Sequence, residues 1–221
     1  VLEAPFGIEE SPLWEQGLAM AQSRASMLPA RAVDPKPGEH VLDMCAAPGA
    51  KATHLAALAG GEARITCVEL HPARAKALRE LAERMGAELE VITGDAREVG
   101  LDRTFDAVLL DPPCTGLGVL SSRPDARWRR RPEALDGLVT LQSELLARAL
   151  SVTRSGGRVV YSTCTLLRAE NEDVVRATGA ALDATLADVH PDLAHPDLPG
   201  ALRVLPHRHG TDGFFVARLL V

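Results

Sequence analysis

From residue 40 onward, short β-rich runs alternate with longer helical ones, and this alternation restricts the fold more than any other feature of the chain. "HVLDMC" (40–45) reads as a strand and "KATHLAALA" (51–59) as a helix. "RITCVEL" (64–70) reads as a second strand, and "PARAKALRELAERMG" (72–86) as a helix with Pro72 in its first turn and Gly86 past its end. "ELEVITGD" and "FDAVLLD" add strands three and four, a long helix spans roughly 132–153, and "GGRVVYSTC" (156–164) makes strand five. Parallel neighbours need crossover helices, so the pattern predicts a doubly wound parallel α/β sheet. The tail differs: "ENEDVVRATGAAL" reads as a helix, "ATLADV" (184–189) as a weak strand, and "GFFVARLLV" as a strong last strand joining the sheet antiparallel. Ahead of residue 40, "LAMAQSRASMLPARAVD" is helix-like and "PKPGEH" is a turn.

The fourth strand runs into "DPPCTGLG". Neither proline nitrogen can donate to a ladder, so the chain is forced out of the sheet there. Asp111 and Cys114 are thereby set on a stiff turn at the carboxyl edge of the sheet, where ligands bind in open α/β folds. The four cysteines, 45, 67, 114 and 164, contain no C-x-x-C pair, which argues against a zinc site or a thioredoxin-like motif. No metal is expected. Free thiols in a reducing compartment are, with Cys67 in the core.

The loop after strand one, in "VLDMCAAPGAKATHLA", occupies a phosphate-cradle location but lacks G-x-G-x-x-G, so a dinucleotide fits poorly. Glu69, ending strand two, lies 20 positions after Gly49, where a carboxylate can accept both hydroxyls of a ribose. A ribose without a pyrophosphate points to S-adenosylmethionine. Asp95 of "TGDAREV" ends strand three and suits the exocyclic amine of an adenine. Acids at such positions also serve as caps and turn formers.

With 221 residues and 46% hydrophobic content, the chain can bury one core, with or without a small appendage. No apolar run approaches the roughly 18 residues that span a bilayer, and the first residues lack the blocks of a signal peptide, so a cytoplasmic protein without a membrane partner is expected. The net charge of −6 argues against a protein that coats nucleic acid over its whole surface. Charge is nevertheless uneven: "RPDARWRRRPEA" sets Arg123, Arg127, Arg129, Arg130 and Arg131 around Trp128, a stripe suited to a phosphate backbone and an unstacked base. A solvated loop would show the same run.

"LDMCAAPGAKATHLA", "CVELHPARAKALRE", "GDAREV", "LLDPPCTGLGVL", "RPDARWRR", "LQSELLARAL", "GGRVVYSTCTLLRAENEDVV" and the closing "RVLPHRHGTDGFFVARL" follow in order over residues 16–221. This order resembles the Sun/Fmu family of RNA cytosine-5 methyltransferases, in its bacterial 16S ribosomal RNA type. The resemblance implies a Rossmann-like, seven-stranded, mostly parallel methyltransferase sheet with an antiparallel last strand. It also implies S-adenosylmethionine as cofactor and RNA, expected to be ribosomal, as substrate. Cytosine C5 is too electron-poor to attack a methylsulfonium directly, so a thiolate must first add to C6. The family makes Cys164 of "STCTL" that nucleophile and has Cys114 of "PPCTG" assist product release. DNA cytosine-5 methyltransferases use the cysteine after the proline, so the residues alone leave the choice open.

The resemblance further assigns Cys45, Ala46, Ala47, Pro48, Gly49, Ala50 and Lys51 to the loop around the methionine part of the cofactor, Glu69 to its ribose and Asp95 to its adenine. Asp111 would lie between cofactor and base. Lys51 and the arginine stripe would meet phosphates or help position the base, and His207 and His209 would sit in a loop beside the site. Ala50 stands where the family usually has a second glycine; a positive φ there would cost about 1 kcal/mol. Bacterial members usually carry an N-terminal RNA-binding region, so a catalytic fragment is expected, with residues 1–39 a helical lead-in to a methyltransferase domain over 40–221. Three alternatives stand beside this reading. An amino-methyltransferase would carry D/N-P-P and an aromatic; a small-molecule methyltransferase leaves the stripe unexplained; a silent RNA-binding scaffold need not keep both thiols.

Overall fold

The computed structural model describes residues 7–101, 104–129 and 131–221. Helices α1 (Pro12–Glu15) and α2 (Arg24–Val33) lead into β1 (His40–Asp43), α3 (Ala50–Leu58), β2 (Arg64–Glu69), α4 (Pro72–Arg84), β3 (Leu89–Thr93) and β4 (Phe105–Leu110). One turn, α5 (Ala126–Arg129), precedes the long α6 (Leu135–Val152) and β5 (Thr153–Thr163). Then follow α7 (Glu172–Ala177), α8 (Thr185–Val189), β6 (Ala201–Val204), α9 (Pro206–His209) and β7 (Phe214–Leu220).

The seven strands are ordered β3-β2-β1-β4-β5-β7-β6. The first five are parallel, and β7 runs antiparallel to both of its neighbours. The order reverses between β1 and β4, the place where an open parallel sheet forms a crevice. Asp43 pairs with Leu109, and Leu110 with Tyr161, so β1, β4 and β5 deliver their last residues side by side. Each face of the sheet carries its own apolar layer. Val41, Leu55, Ile65, Leu109, Val160 and Val216 pack on one side, and Leu42, Val108, Leu110, Leu146, Tyr161 and Phe215 on the other. Burial on both faces is why the strands read as apolar runs rather than as alternations.

Several elements depart from the reading of the chain, each for a local reason. Residues 184–189 are not a strand but carry α8: just ahead of it the Asp183 carboxylate accepts from the backbone N–H and the hydroxyl of Thr185, a local turn that leads into a helix whose single buried residue is Leu186. The sixth strand is instead β6, four residues too short to show a period; its register with β7 (Leu202 opposite Val216) defines it. The helix over 170–182 shrinks to α7, with Gly179 at φ 66° after it, and Leu182 returns to pair with Leu219. Ser23 caps α2, so the helix begins there and not at residue 18. Ala25, Leu28 and Val33 of α2 belong to the same apolar layer as Leu55 and Val160, which packs the lead-in onto the sheet.

Candidate active site

The loop between β1 and α3 begins at Asp43 and ends at Gly49, whose φ of 114° only glycine adopts readily. A Cβ there would lie 2.5 Å from the Cδ1 atom of Leu78, so the loop passes too close to α4 for a side chain. Ala50 is the first residue of α3 and has no positive φ, so the conformational cost weighed from the sequence does not arise. Arg74 of α4 donates to the Ala47 carbonyl at 2.7 Å and stands 3.6 Å from the Glu69 carboxylate, tying the loop to the end of β2. Glu69 is buried, and its Oε1 accepts from the His71 N–H. Asp43 is also buried, and neither of its oxygens has a hydrogen-bond partner among the described residues. Burial pushes its pKa up to about 7, with Lys51 pulling it down and the Asp111 charge adding to the rise. Burial, followed by the charges of Asp43, Asp111 and Glu69, pushes up the Cys45 thiol.

Lys51, one residue into α3, lies with its ammonium 2.6 Å from Asp111 Oδ2 and 5.6 Å from the centre of the Phe214 ring. Asp111 Oδ1 accepts from the Ser162 hydroxyl at 2.9 Å. A cation and a hydroxyl thus fix the carboxylate at the switch point. Burial opposes the charge on Lys51, but Asp111 and then Asp43 carry its pKa above the ordinary value.

Cys114 and Cys164, from the turns after β4 and β5, bring their sulfurs to 3.4 Å. The two thiols share an S–H···S hydrogen bond in which either sulfur can be the donor. That bond lowers the Cys164 pKa against burial and the Asp111 charge, with help from Lys51 and Arg123. The same bond, and then burial, push Cys114 well up. The two thiols are therefore biased in opposite directions, Cys164 toward the thiolate and Cys114 away from it. Behind them, Thr115, Thr165, Gln142 and Glu170 are all buried and joined by hydrogen bonds, and the Tyr161 hydroxyl donates to the Glu170 carbonyl at 2.6 Å. Gly118 locks the two turns to the start of β7: its N–H donates to the Cys164 carbonyl (2.9 Å) and its carbonyl accepts from Gly213 (2.7 Å). A Cβ on Gly118 would lie 2.2 Å from the Gly213 carbonyl oxygen and 2.8 Å from that of Cys164.

The remaining residues singled out from the sequence fall as follows. Asp95 sits past β3, but Arg97 engages both of its oxygens, at 3.0 and 2.6 Å, and reaches on to Glu144 of α6. The Arg97 hydrogen bonds lower the Asp95 pKa, so an adenine amine would have to share this acceptor. Arg123, Arg127, Trp128 and Arg131 are exposed, Trp128 at 85%, while Arg130 and the side chain of Arg129 lie outside the described residues. His207 and His209 form the helical turn α9 rather than a loop, and His209 Nδ1 accepts from the Leu205 N–H. Cys67 is in the core. Sequence reasoning missed Asp43, Ser162, Gln142 and Glu170. The signal for Asp43 was an acid inside the apolar run "HVLDMC"; Glu170 was hidden in an acidic stretch that reads as a helix start.

Comparison with known proteins gives a consistent picture. A family model described as 16S rRNA methyltransferase RsmB/F matches residues 30–220. The ribosomal RNA small subunit methyltransferase B of Pectobacterium carotovorum subsp. carotovorum (strain PC1) is 35% identical over 99% of this chain and 51% of its own length. The chain spans about half the length of the curated relatives it matches. Among solved structures, NSun6 from Pyrococcus horikoshii with SFG is 31% identical, with a TM-score of 0.84 over 98% of this chain and 56% of that one. A methyltransferase homolog from Pyrococcus horikoshii is 32% identical, with a TM-score of 0.85 over 99% of this chain and 73% of that one.

Proposed function

Because this chain belongs to the RsmB/F family of 16S rRNA methyltransferases, we propose that it transfers a methyl group from S-adenosylmethionine to C5 of a cytosine in RNA through a covalent adduct on Cys164. The observation that carries the reading is the contact between Cys114 and Cys164, in which one thiol donates to the other beside the Lys51–Asp111 pair. Ribosomal RNA is the substrate class the relatives' names point to, and such a substrate would place the activity in the cytoplasm. Residues 40–221 make up the methyltransferase domain in this reading, with 1–39 as its lead-in.

The crevice suits the cofactor. Asp43, buried and without a hydrogen-bond partner among the described residues, offers a carboxylate to an ammonium group. Glu69 has Oε2 left for ribose hydroxyls, and the Gly49 turn keeps the loop free of side-chain bulk. A neighbour in fold was solved with SFG, an analogue of S-adenosylmethionine. When bound, the cofactor supplies an electrophilic methyl group.

The protein's part begins with Cys164 as a thiolate. Its sulfur forms a bond to C6 of the cytosine, and the electrons displaced from the C5–C6 double bond make C5 nucleophilic enough to take the methyl group. The C5 proton then leaves to a base, the double bond re-forms, and the S–C6 bond breaks to return the thiolate. Cys114, touching that sulfur, serves this release step. Asp111, steadied by Lys51 and Ser162, is placed to meet the exocyclic amine of the base. The exposed Arg123, Arg127 and Arg131, with Trp128 among them, supply phosphate contacts and a stacking face for flanking nucleotides.

The test is transfer of labelled methyl from S-adenosylmethionine to total RNA by the wild-type chain and by Cys164→Ala, with modified bases read by mass spectrometry. 5-Methylcytosine with the wild type alone supports the assignment. A different methylated base, or the same yield from Cys164→Ala, overturns it.

A further inference from the structure

Cys114 and Cys164 stand on separate turns 50 residues apart in the chain, yet their sulfurs are in contact. Both cysteines lie beyond the ends of their strands, so the sheet ladder does not set that distance; the Gly118 N–H on the Cys164 carbonyl ties the two backbones, and buried side chains tie the turns again beside the sulfurs. Each is followed by a threonine. The Thr115 and Thr165 hydroxyls are 2.7 Å apart, and the Thr115 hydroxyl donates to Glu170 Oε2 at 2.5 Å. Since a hydroxyl has one proton, that of Thr165 must be the donor to Thr115, which fixes the direction of the whole chain of bonds.

Glu170 Oε1 accepts from the Thr115 N–H (2.9 Å) and from the Gln142 amide (2.9 Å), and Gln142 also donates to the Pro113 carbonyl (2.9 Å). Glu170, Gln142 and Thr165 have no solvent exposure, and the carboxylate has no cationic partner among the described residues. A buried carboxylate held only by neutral donors is a costly arrangement for packing alone.

We propose that Glu170 is a positioning residue which, through Thr115 and Thr165, holds the two cysteine turns at the separation that lets one sulfur donate to the other. The proposal rests on reading Cys114 and Cys164 as the paired catalytic thiols. Misplacement by a fraction of an ångström weakens a sulfur hydrogen bond directly, so removing the clamp raises the pH at which Cys164 becomes reactive. It leaves the cofactor crevice, built from β1, β2 and α3, in place.

The experiment compares wild type, Thr115→Val, Thr115→Ser and Glu170→Gln. Alkylation of Cys164 by iodoacetamide is followed against pH by peptide mass spectrometry, beside S-adenosylmethionine affinity, thermal melting and kcat and KM for RNA methylation. In Thr115→Val the alkylation midpoint should move to higher pH and kcat fall on the order of tenfold, with cofactor affinity unchanged. Thr115→Ser should restore both. Glu170→Gln can keep its carbonyl oxygen on the Thr115 N–H and the Gln142 amide only by pointing its NH2 at the Thr115 hydroxyl, which reverses the hydroxyl chain and should shift the profile less than Thr115→Val. A folded Thr115→Val chain with the wild-type alkylation profile overturns the proposal, whatever Glu170→Gln does to folding. Alkylation needs no RNA: if the profile shifts in a chain whose wild type makes no 5-methylcytosine, the clamp stands and the assigned reaction falls.

Discussion

Cys114 and Trp128 lie close in sequence but are held in opposite ways. Cys114 rests on a turn bound from behind by Gln142, Glu170 and Thr165, with its neighbour Thr115 buried. Trp128 stands 85% exposed on the single turn α5, whose hydrogen bonds are to residues immediately upstream, Arg127 to Pro124 and Trp128 to Asp125. Bond-making atoms need a fixed position, because small misplacements cost rate. Contacts to a polyanion need charge and reach, and an adaptable surface suffices. Buried side-chain hydrogen bonds thus brace the turn that carries Cys114, while Trp128 is displayed to solvent.

If that contrast holds, substitutions in the two regions should fail in different currencies. The largest effect is expected at Cys164: Cys164→Ala should lower methyl transfer by about 10³-fold or more while cofactor affinity, measured by calorimetry, stays near wild type. Cys114→Ala should slow turnover by about 10²-fold and leave RNA covalently joined to the protein, visible as a denaturant-stable band on a gel with labelled RNA. At the stripe, Arg127→Ala with Trp128→Ala should raise the Kd for RNA on the order of tenfold and flatten its dependence on salt. A rate defect at saturating RNA, with Kd unmoved, would erase the contrast between the regions.

The smallest effect concerns Asp43. Its pKa rises from 3.8 to about 7 on folding, so between these values the folded chain holds a proton that the unfolded chain has released. Stability of the cofactor-free chain should therefore fall as pH rises through that window. Asp43→Asn should remove the slope, raise the melting temperature at pH about 8 by roughly 2–4 °C, and weaken S-adenosylmethionine binding. An unchanged melting curve would mean that Asp43 is already compensated in solution.

Much of this could be read from the chain, and the parts that could not share a cause. Strands β1 to β5 and β7 announce themselves by β-rich runs bounded by turns, and Asp111, Cys114 and Cys164 fall just past strand ends, with Lys51 in the first turn of α3, where topology alone points to a site. β6 escaped because four residues carry no period, and α8 was misread because five residues with one buried position show no helical period either, while the Asp183 turn lies just ahead of the run. The Glu170 clamp was invisible for a deeper reason. Its partners Thr115 and Gln142 lie 55 and 28 residues away, and nothing local distinguishes a buried acceptor from a helix-capping acid. Asp95 shows the reverse: a strand-end acid suggests a ligand, but two residues on, Arg97 already occupies it.

The meeting of Gly118 with Gly213 and the Cys164 carbonyl has a consequence for how such a site would look to genetics. No side chain fits at Gly118, since even a methyl group would press on two carbonyl oxygens and drive the Cys164 turn and the start of β7 apart. In a scan that replaces every residue in turn and scores survival, Gly118 would rank with the nucleophile although it supplies no atom to the chemistry. A map of intolerance would then trace the frame that holds the sulfurs as sharply as the sulfurs themselves, and only substrate-free probes of the thiols would separate the two.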